Sequence, residues 1–148
     1  MSNRRREPAR ALGIGPTGAN LCFCGCAREV RKPRRNWFSD DCVHIWKVRN
    51  DPQYVRSLVF RRDGGICAIC AVNTEAIRAA TITAELRTHD PGWVARYRKN
   101  RWQADHIIPV VRGGGQCGLE NYRTLCIPCH KTVTAKLARE RANEKKTQ

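Results

Sequence analysis

Residues 102–136 read WQADHIIPVVRGGGQCGLENYRTLCIPCHKTVTAK. Cys126 and Cys129 have the two-residue gap of a zinc knuckle. His130 follows Cys129 directly. If a helix opens at this turn, adjacent side chains diverge by about 100°. Cys129 and His130 would then struggle to serve one tetrahedral ion. Either His130 is a bystander, or the chain holds a second metal beside the first.

Upstream, Cys67 and Cys70 repeat the same gap. Two such pairs, Cys67, Cys70, Cys126 and Cys129, can surround one structural Zn2+ with four thiolates. Such a site contributes folding energy outright. Cys117 sits alone in GGGQCGLEN and reads as a small buried residue under the loop rather than a fifth ligand or redox thiol.

Asp105 and His106 precede the knuckle as neighbours on an expected strand, so they point to opposite faces. Asp105 offers a carboxylate oxygen. His130, at the helix start, can join it across the hairpin. One carboxylate and one imidazole leave coordination positions open for water and substrate, which suits a catalytic Mg2+, Mn2+ or Zn2+. The ordinary titration range of an imidazole suits His106 to general-base work. Asn121 lies between them, where its amide can bond backbone groups and pin the loop.

The surrounding pattern supplies the frame. Asp51-Pro52 opens a helix over 52–62, ended by Asp63-Gly64-Gly65. ICAIC (66–70) is a short strand or turn. A second helix is expected over 74–88, capped by Thr74, and a shorter one over 91–99. A strand over 102–106 continues through 107–111. After the turn at 112–115, residues 119–125 lead into a helix from Pro128 to about Glu144.

The order DH, N, CxxCH, with a CxxC upstream, resembles the HNH endonuclease family from about Gly65 to Arg141. It is similar to bacterial and phage members, and to the nuclease module of some fork-remodelling helicases. The resemblance implies an α+β fold: a small zinc-stabilised ββα-metal, treble-clef-like nuclease domain. It also implies roles. His106 deprotonates the attacking water, Asn121 orients the loop and the base, and Asp105 and His130 ligate the catalytic ion. The implied products carry 5′-phosphate and 3′-hydroxyl ends. A non-catalytic, zinc-stabilised nucleic-acid-binding module is the competing reading, but it has no need of Asp105, His106 and His130.

Charge points to a polyanionic partner. The 148 residues carry 28 Lys+Arg against 13 Asp+Glu, formally +15, which favours DNA and leaves RNA open. Residues 1–62 hold 14 of the basic side chains and 5 of the acidic ones, so the front half reads as the electrostatic grip. Residues 1–20 read as a disordered basic arm, 21–50 as a zinc-knuckle DNA-binding segment, and 51–144 as the nuclease domain with a helical insertion over 72–100. In the second segment Cys22, Cys24, Cys26 and Cys42 form a second candidate zinc site, with His44 as a further ligand. The resemblance expects CSxxC there, but the chain reads FSDDC, with Phe38 where a cysteine is expected. Between these cysteines, Arg31, Lys32, Arg34 and Arg35 suit phosphate contacts, and Trp37 suits stacking on a base.

No apolar run approaches the roughly 20 residues of a membrane span, and no apolar stretch follows the basic start as in a signal peptide. Nine cysteines then read as metal ligands in a reducing compartment. The expected setting is the cytoplasm of a bacterium or phage-infected cell, or a nucleus in a eukaryote. The expected state is a monomer or weak dimer, with a protein partner in a larger DNA-processing machine.

Overall fold

The computed structural model describes residues 13–88 and 101–146. The chain divides into two compact units, Met1–Pro52 and Gln53–Gln148.

In the first unit, the segment expected as an arm over 1–20 is described from Gly13 onward; residues 1–12 lie outside the described residues. Ile14 bridges Asn20 across a turn, and the Thr17 N–H donates to Glu29 at 2.7 Å. A Gly-Pro-Thr-Gly turn closed by a carboxylate outweighs the basic composition. Helix α1 spans Asp40–Asn50, a segment that the cysteine-dense reading did not assign as helix. Its start follows capping rules. Ser39 is extended and its hydroxyl accepts from the Cys42 N–H, while Asp40 and Asp41 occupy the first turn and Lys47 and Arg49 the last. Cys22, Val30 and Cys42 are its buried centre, with Cys24 and Trp37 packed against them.

In the second unit, α2 spans Pro52–Asp63 and buries Val55 and Val59. Gly64 and Gly65 end it with φ of 60° and 75°, a region open to glycine without strain. Helix α3 spans Thr74–Thr88. Its cap is Asn73, whose side chain accepts from the N–H groups of Glu75 and Ala76 at 3.0 Å each. Thr74, expected as the cap, is fully buried and donates its hydroxyl to the Gly65 carbonyl at 2.7 Å. The helix expected over 91–99 lies outside the described residues.

Strands β1 (Trp102–His106) and β2 (Tyr122–Cys126) form an antiparallel pair, with Asp105 opposite Arg123 and His106 opposite Tyr122. β1 does not continue through 107–111 as expected. Pro109, with no N–H, is followed by a single 3-10 turn over Val110–Arg112. Two more such turns, Gly114–Gln116 and Leu119–Asn121, bring the chain back to β2. Helix α4 spans Ile127–Lys146, with Pro128 in its first turn. Leu125, Cys67 and Cys126 are the buried centre beneath it, joined by Val72, Cys129 and Val133.

α2 is fastened to the sheet by polar as well as apolar contacts. Trp102 stacks on Phe60 with centroids 6.1 Å apart, and the Arg56 guanidinium lies 3.9 Å from its ring centroid. Asp63 Oδ2 accepts from the Thr124 N–H at 3.2 Å and from its hydroxyl at 2.9 Å. Arg62 donates to the carbonyls of Leu119 at 3.2 Å and Tyr122 at 2.7 Å.

Candidate functional site

The loop from β1 to β2 is shaped by one amide. Asn121 Oδ1 accepts from the Ile108 N–H at 2.8 Å, and Nδ2 donates to the carbonyls of Ile108 and Gly114, each at 3.0 Å. The residue is 4% exposed, so three bonds made out of water replace the solvent it has lost. Gly114 is required beside it. A Cβ there would lie 1.7 Å from the Ile108 carbonyl oxygen and 2.8 Å from Asn121 Nδ2.

At the end of the sheet the register sorts the side chains into two sets. Opposed residues of an antiparallel pair share a face, and successive residues alternate. Asp105 and Arg123 are therefore together on one face, and His106 and Tyr122 on the other. The His106 and Tyr122 rings stand 4.3 Å apart. Asp105 Oδ2 accepts from Arg123 Nε at 3.1 Å and from Nη2 at 3.0 Å. Its other oxygen, Oδ1, lies 3.8 Å from His130 Nε2 at the start of α4.

The cysteines turn another way. The sulfurs of Cys67, Cys70, Cys126 and Cys129 all lie within 4.8 Å of one another, and those of Cys70 and Cys126 are 3.7 Å apart. Four sulfurs each about 2.3 Å from a tetrahedral ion stand about 3.8 Å apart. The donor set and its spacing thus suit a metal ion. Titration of the thiols agrees. Burial would raise Cys67, but backbone N–H groups in the knuckle outweigh it and hold the thiol down to about 6. Cys129 is pushed up to about 12 by its bonds to the Cys126 and Cys70 sulfurs. Crowded thiols cannot all ionise unless a cation compensates them.

Cys129 and His130, adjacent in sequence, therefore belong to different groups. His130 shares a carboxylate with β1, and Cys129 closes the sulfur cluster. Two ligand atoms about 2.1 Å from one ion stand about 3.0–3.4 Å apart at right to tetrahedral angles. The gap from Asp105 to His130 is a few tenths of an ångström wider, and one carboxylate with one imidazole leaves most positions of a divalent cation open. Cys117 is half-buried and belongs to neither cysteine group.

The first unit repeats the sulfur arrangement. Cys22, Cys24, Cys26 and Cys42 lie within 4.8 Å of one another, and His44 is not among them. Cys42, bonded by the Ser39 hydroxyl, is lowered to about 7. Cys24 is raised to about 12, first by burial. Trp37 does not stand alone on the surface. Its ring lies 5.3 Å from both Phe23 and Trp46, so it serves a small aromatic core. The exposed ring is its neighbour Phe38.

Sequence reasoning missed Arg123. The available signal was an arginine two residues after the asparagine, which a hairpin with His106 opposite Tyr122 places across from Asp105.

The HNH endonuclease family model matches residues 92–136. The protein called DNA annealing helicase and endonuclease ZRANB3 of Homo sapiens is 35% identical over 118 residues, covering 68% of this chain and 11% of that protein. Its namesake in Mus musculus is 32% identical over 167 residues, covering 92% and 15%. A crystal structure of the human ZRANB3 HNH domain is 32% identical, covers 66% of this chain and 97% of that one, and superposes with a TM-score of 0.48. On the family match over residues 92–136 and the identity to these endonucleases, the chain belongs to the HNH endonuclease family. It spans only 11% and 15% of the length of these two curated relatives. They are mammalian, so the bacterial or phage setting read from the sequence finds no support in them. No helix among the described residues is long and apolar enough to cross a membrane.

Proposed function

We propose that this chain is a metal-dependent DNA endonuclease with a structural zinc in each cysteine group. The observation that carries the reading is the separation of Cys129 from His130. The sulfur cluster is complete without the histidine, which leaves His130 with Asp105 at 3.8 Å. Asp105 and His130 are the residues that would hold a divalent cation, Mg2+, Mn2+ or Zn2+. When bound, that ion offsets charge on the scissile phosphate and on the leaving 3′ oxygen.

His106, on the other face of β1, takes the proton from the attacking water as general base. Asn121 fixes the loop that follows His106 and so holds the imidazole's direction. The P–O3′ bond breaks, the leaving oxygen takes a proton from solvent to become the 3′-hydroxyl, and the phosphate stays on the 5′ end. The basic side chains Arg31, Lys32, Arg34 and Arg35 hold phosphates of the DNA. The relatives are named as helicase and endonuclease together, and the family match supports the endonuclease part. A DNA-unwinding partner, or a further region of a longer protein, then supplies the substrate in the cell.

One observation favours the non-catalytic binding module. Arg123 already occupies one oxygen of Asp105, as a purely structural pair would. Cleavage separates the two readings. Zinc-loaded protein is given supercoiled plasmid at low salt, with Mg2+, with Mn2+ and with neither. The nuclease nicks with added Mg2+ or Mn2+, or with zinc alone if zinc is its working ion, and His106→Ala, folded and zinc-loaded, loses about 100-fold or more. A His106→Ala protein that cuts at the wild-type rate removes His106 from the chemistry. A wild type that binds and never cuts supports the module.

A further inference from the structure

The amino-terminal unit holds a feature that neither its metal site nor its basic tract accounts for. Phe38, where a cysteine was expected, is 40% exposed. It is also held in place. Its N–H donates to Cys22 Sγ at 3.2 Å, and the next residue, Ser39, bonds Cys42 Sγ at 3.3 Å while capping α1. The sulfur cluster and the helix start thus fix the backbone on either side of the ring.

Phe38 lines a concavity of about 430 Å³ with Arg31, Lys32, Pro33 and Arg34. Arg28 stands over the ring, 5.0 Å from its centroid, and is not part of that lining. The nearby acids are already engaged. Asp40 is paired with both terminal nitrogens of Arg34 at 2.9 and 3.1 Å, and Glu29 is held by Thr17. The ring is 40% exposed while Arg28 stands over it, so part of its π surface faces solvent. Beside Arg31 and Lys32, with Arg34 already paired to Asp40, it has the two features that bind single strands: a π surface for a base and charge for the phosphates on either side. Duplex DNA offers the charge contact but keeps its base faces stacked.

We propose that this concavity takes one unpaired nucleotide of DNA, its base stacked on Phe38 and its flanking phosphates on Arg31, Lys32 and the outer edge of Arg34. The proposal rests on the DNA reading above and adds strand type to it. The substrate is then DNA that contains a single-stranded or splayed segment, rather than plain duplex.

The test is binding by fluorescence anisotropy, using the full zinc-loaded chain without Mg2+ or Mn2+ so that nothing is cut. The probes are a twelve-residue oligothymidylate, the same backbone with abasic sites, and a duplex. Phe38→Ala is expected to weaken oligothymidylate binding about tenfold while changing the abasic strand and the duplex less than about twofold. Phe38→Trp restores binding. Phe38→Ile, which keeps apolar bulk under the loop, loses affinity like the alanine variant, and zinc content and circular dichroism establish that each variant is folded. Unchanged oligothymidylate binding in Phe38→Ala overturns the proposal, as does an equal loss on the abasic strand. A wild type that binds duplex but not single strands sinks this inference and leaves the endonuclease reading standing. A wild type that binds no DNA sinks both.

Discussion

The two cysteine groups are alike in geometry and unlike in what surrounds them. Each gathers four sulfurs within 4.8 Å, and each knuckle turns through an alanine at positive φ just after its last cysteine, Ala27 at 58° and Ala71 at 56°. The first group is closed by Cys42, only 16 residues beyond Cys26. Its apolar support is Val30 and a ring cluster. The second joins cysteines 56 residues apart and sits among other fastenings: Asp63 on Thr124, Arg56 on Trp102, and Asn121 across the loop. One metal site is nearly the whole fold of its unit. The other is one fastening among several, and on the proposed reading the sheet end beside it does the chemistry.

Metal removal should expose this difference most sharply. Structural zinc in small domains contributes about 10–16 kcal/mol of apparent binding energy, all of it folding energy. Cys42→Ser is expected to unfold the first unit and leave the second folded. Cys126→Ser is expected to loosen α4 and the knuckle while part of the α2–sheet packing survives. Hydrogen exchange resolved by segment would show it. Equal loss of protection in both units after either substitution would mean that they fold as one.

Next in size is Gly114→Ala. Its Cβ would meet a carbonyl oxygen at 1.7 Å and the Asn121 amide, so the loop must move and break bonds that a buried amide cannot replace with water. A cost of about 3 kcal/mol is expected, read as a shift in the urea midpoint of the second unit alone. Survival of the wild-type midpoint would show that the loop between the strands is not a fixed support for His106.

How much of this could be read in advance follows the reach of each interaction. The knuckle spacing, the helix punctuation by Pro52, Gly64 and Gly65, and the strand at Trp102–His106 are local patterns, and the chain follows them. α1 was missed because its signals, Ser39 and two aspartates, lay within a cysteine-rich stretch read for metal. The strand was read too far because 107–111 is apolar, yet Ile107, Ile108, Val110 and Val111 are about half exposed and Pro109 bends the chain. Asn73 displaced Thr74 as cap because the threonine was needed in the core. The contacts of Asp63 with Thr124 and of Asp105 with Arg123 span 61 and 18 residues, and no local window contains them.

Asp63→Asn tests the first of those long contacts. Bonds from Arg62, then from Thr124, hold the Asp63 carboxyl below its ordinary value of 3.8, against partial burial. The sign follows from linkage. A depressed carboxylate contributes its full stability above the unfolded value and loses it as pH falls through the lower folded value. Asp63→Asn should cost about 1–3 kcal/mol at neutral pH, and less below pH 4 as the wild type loses the same contribution. A constant difference from pH 7 to pH 2 would mean that charge plays no part in the fastening.

Arg123 has the smallest expected effect on stability, and it bears most directly on what the second unit is for. Its pair with Asp105 is only part-buried, with side chains 25% and 13% exposed, so its net contribution to folding is about 1 kcal/mol or less. Toward a divalent cation, Arg123 acts in two opposed ways. Its fork holds Oδ2 and so aims Oδ1 at His130, which favours binding. Its charge stands beside the same carboxylate and repels the ion. At short range and reduced dielectric the repulsion is worth about 1 kcal/mol or more, and orienting one short side chain is worth somewhat less. Arg123→Gln should therefore bind Mn2+ a few-fold more tightly in an electron-paramagnetic titration, and Arg123→Lys, which keeps the charge, about as the wild type does. Weaker binding in both variants would make the fork's geometry decisive. No Mn2+ binding in the wild type or either variant would mean that Asp105 and His130 form a structural pair, and the contrast between a folding metal and a working one would fall with it.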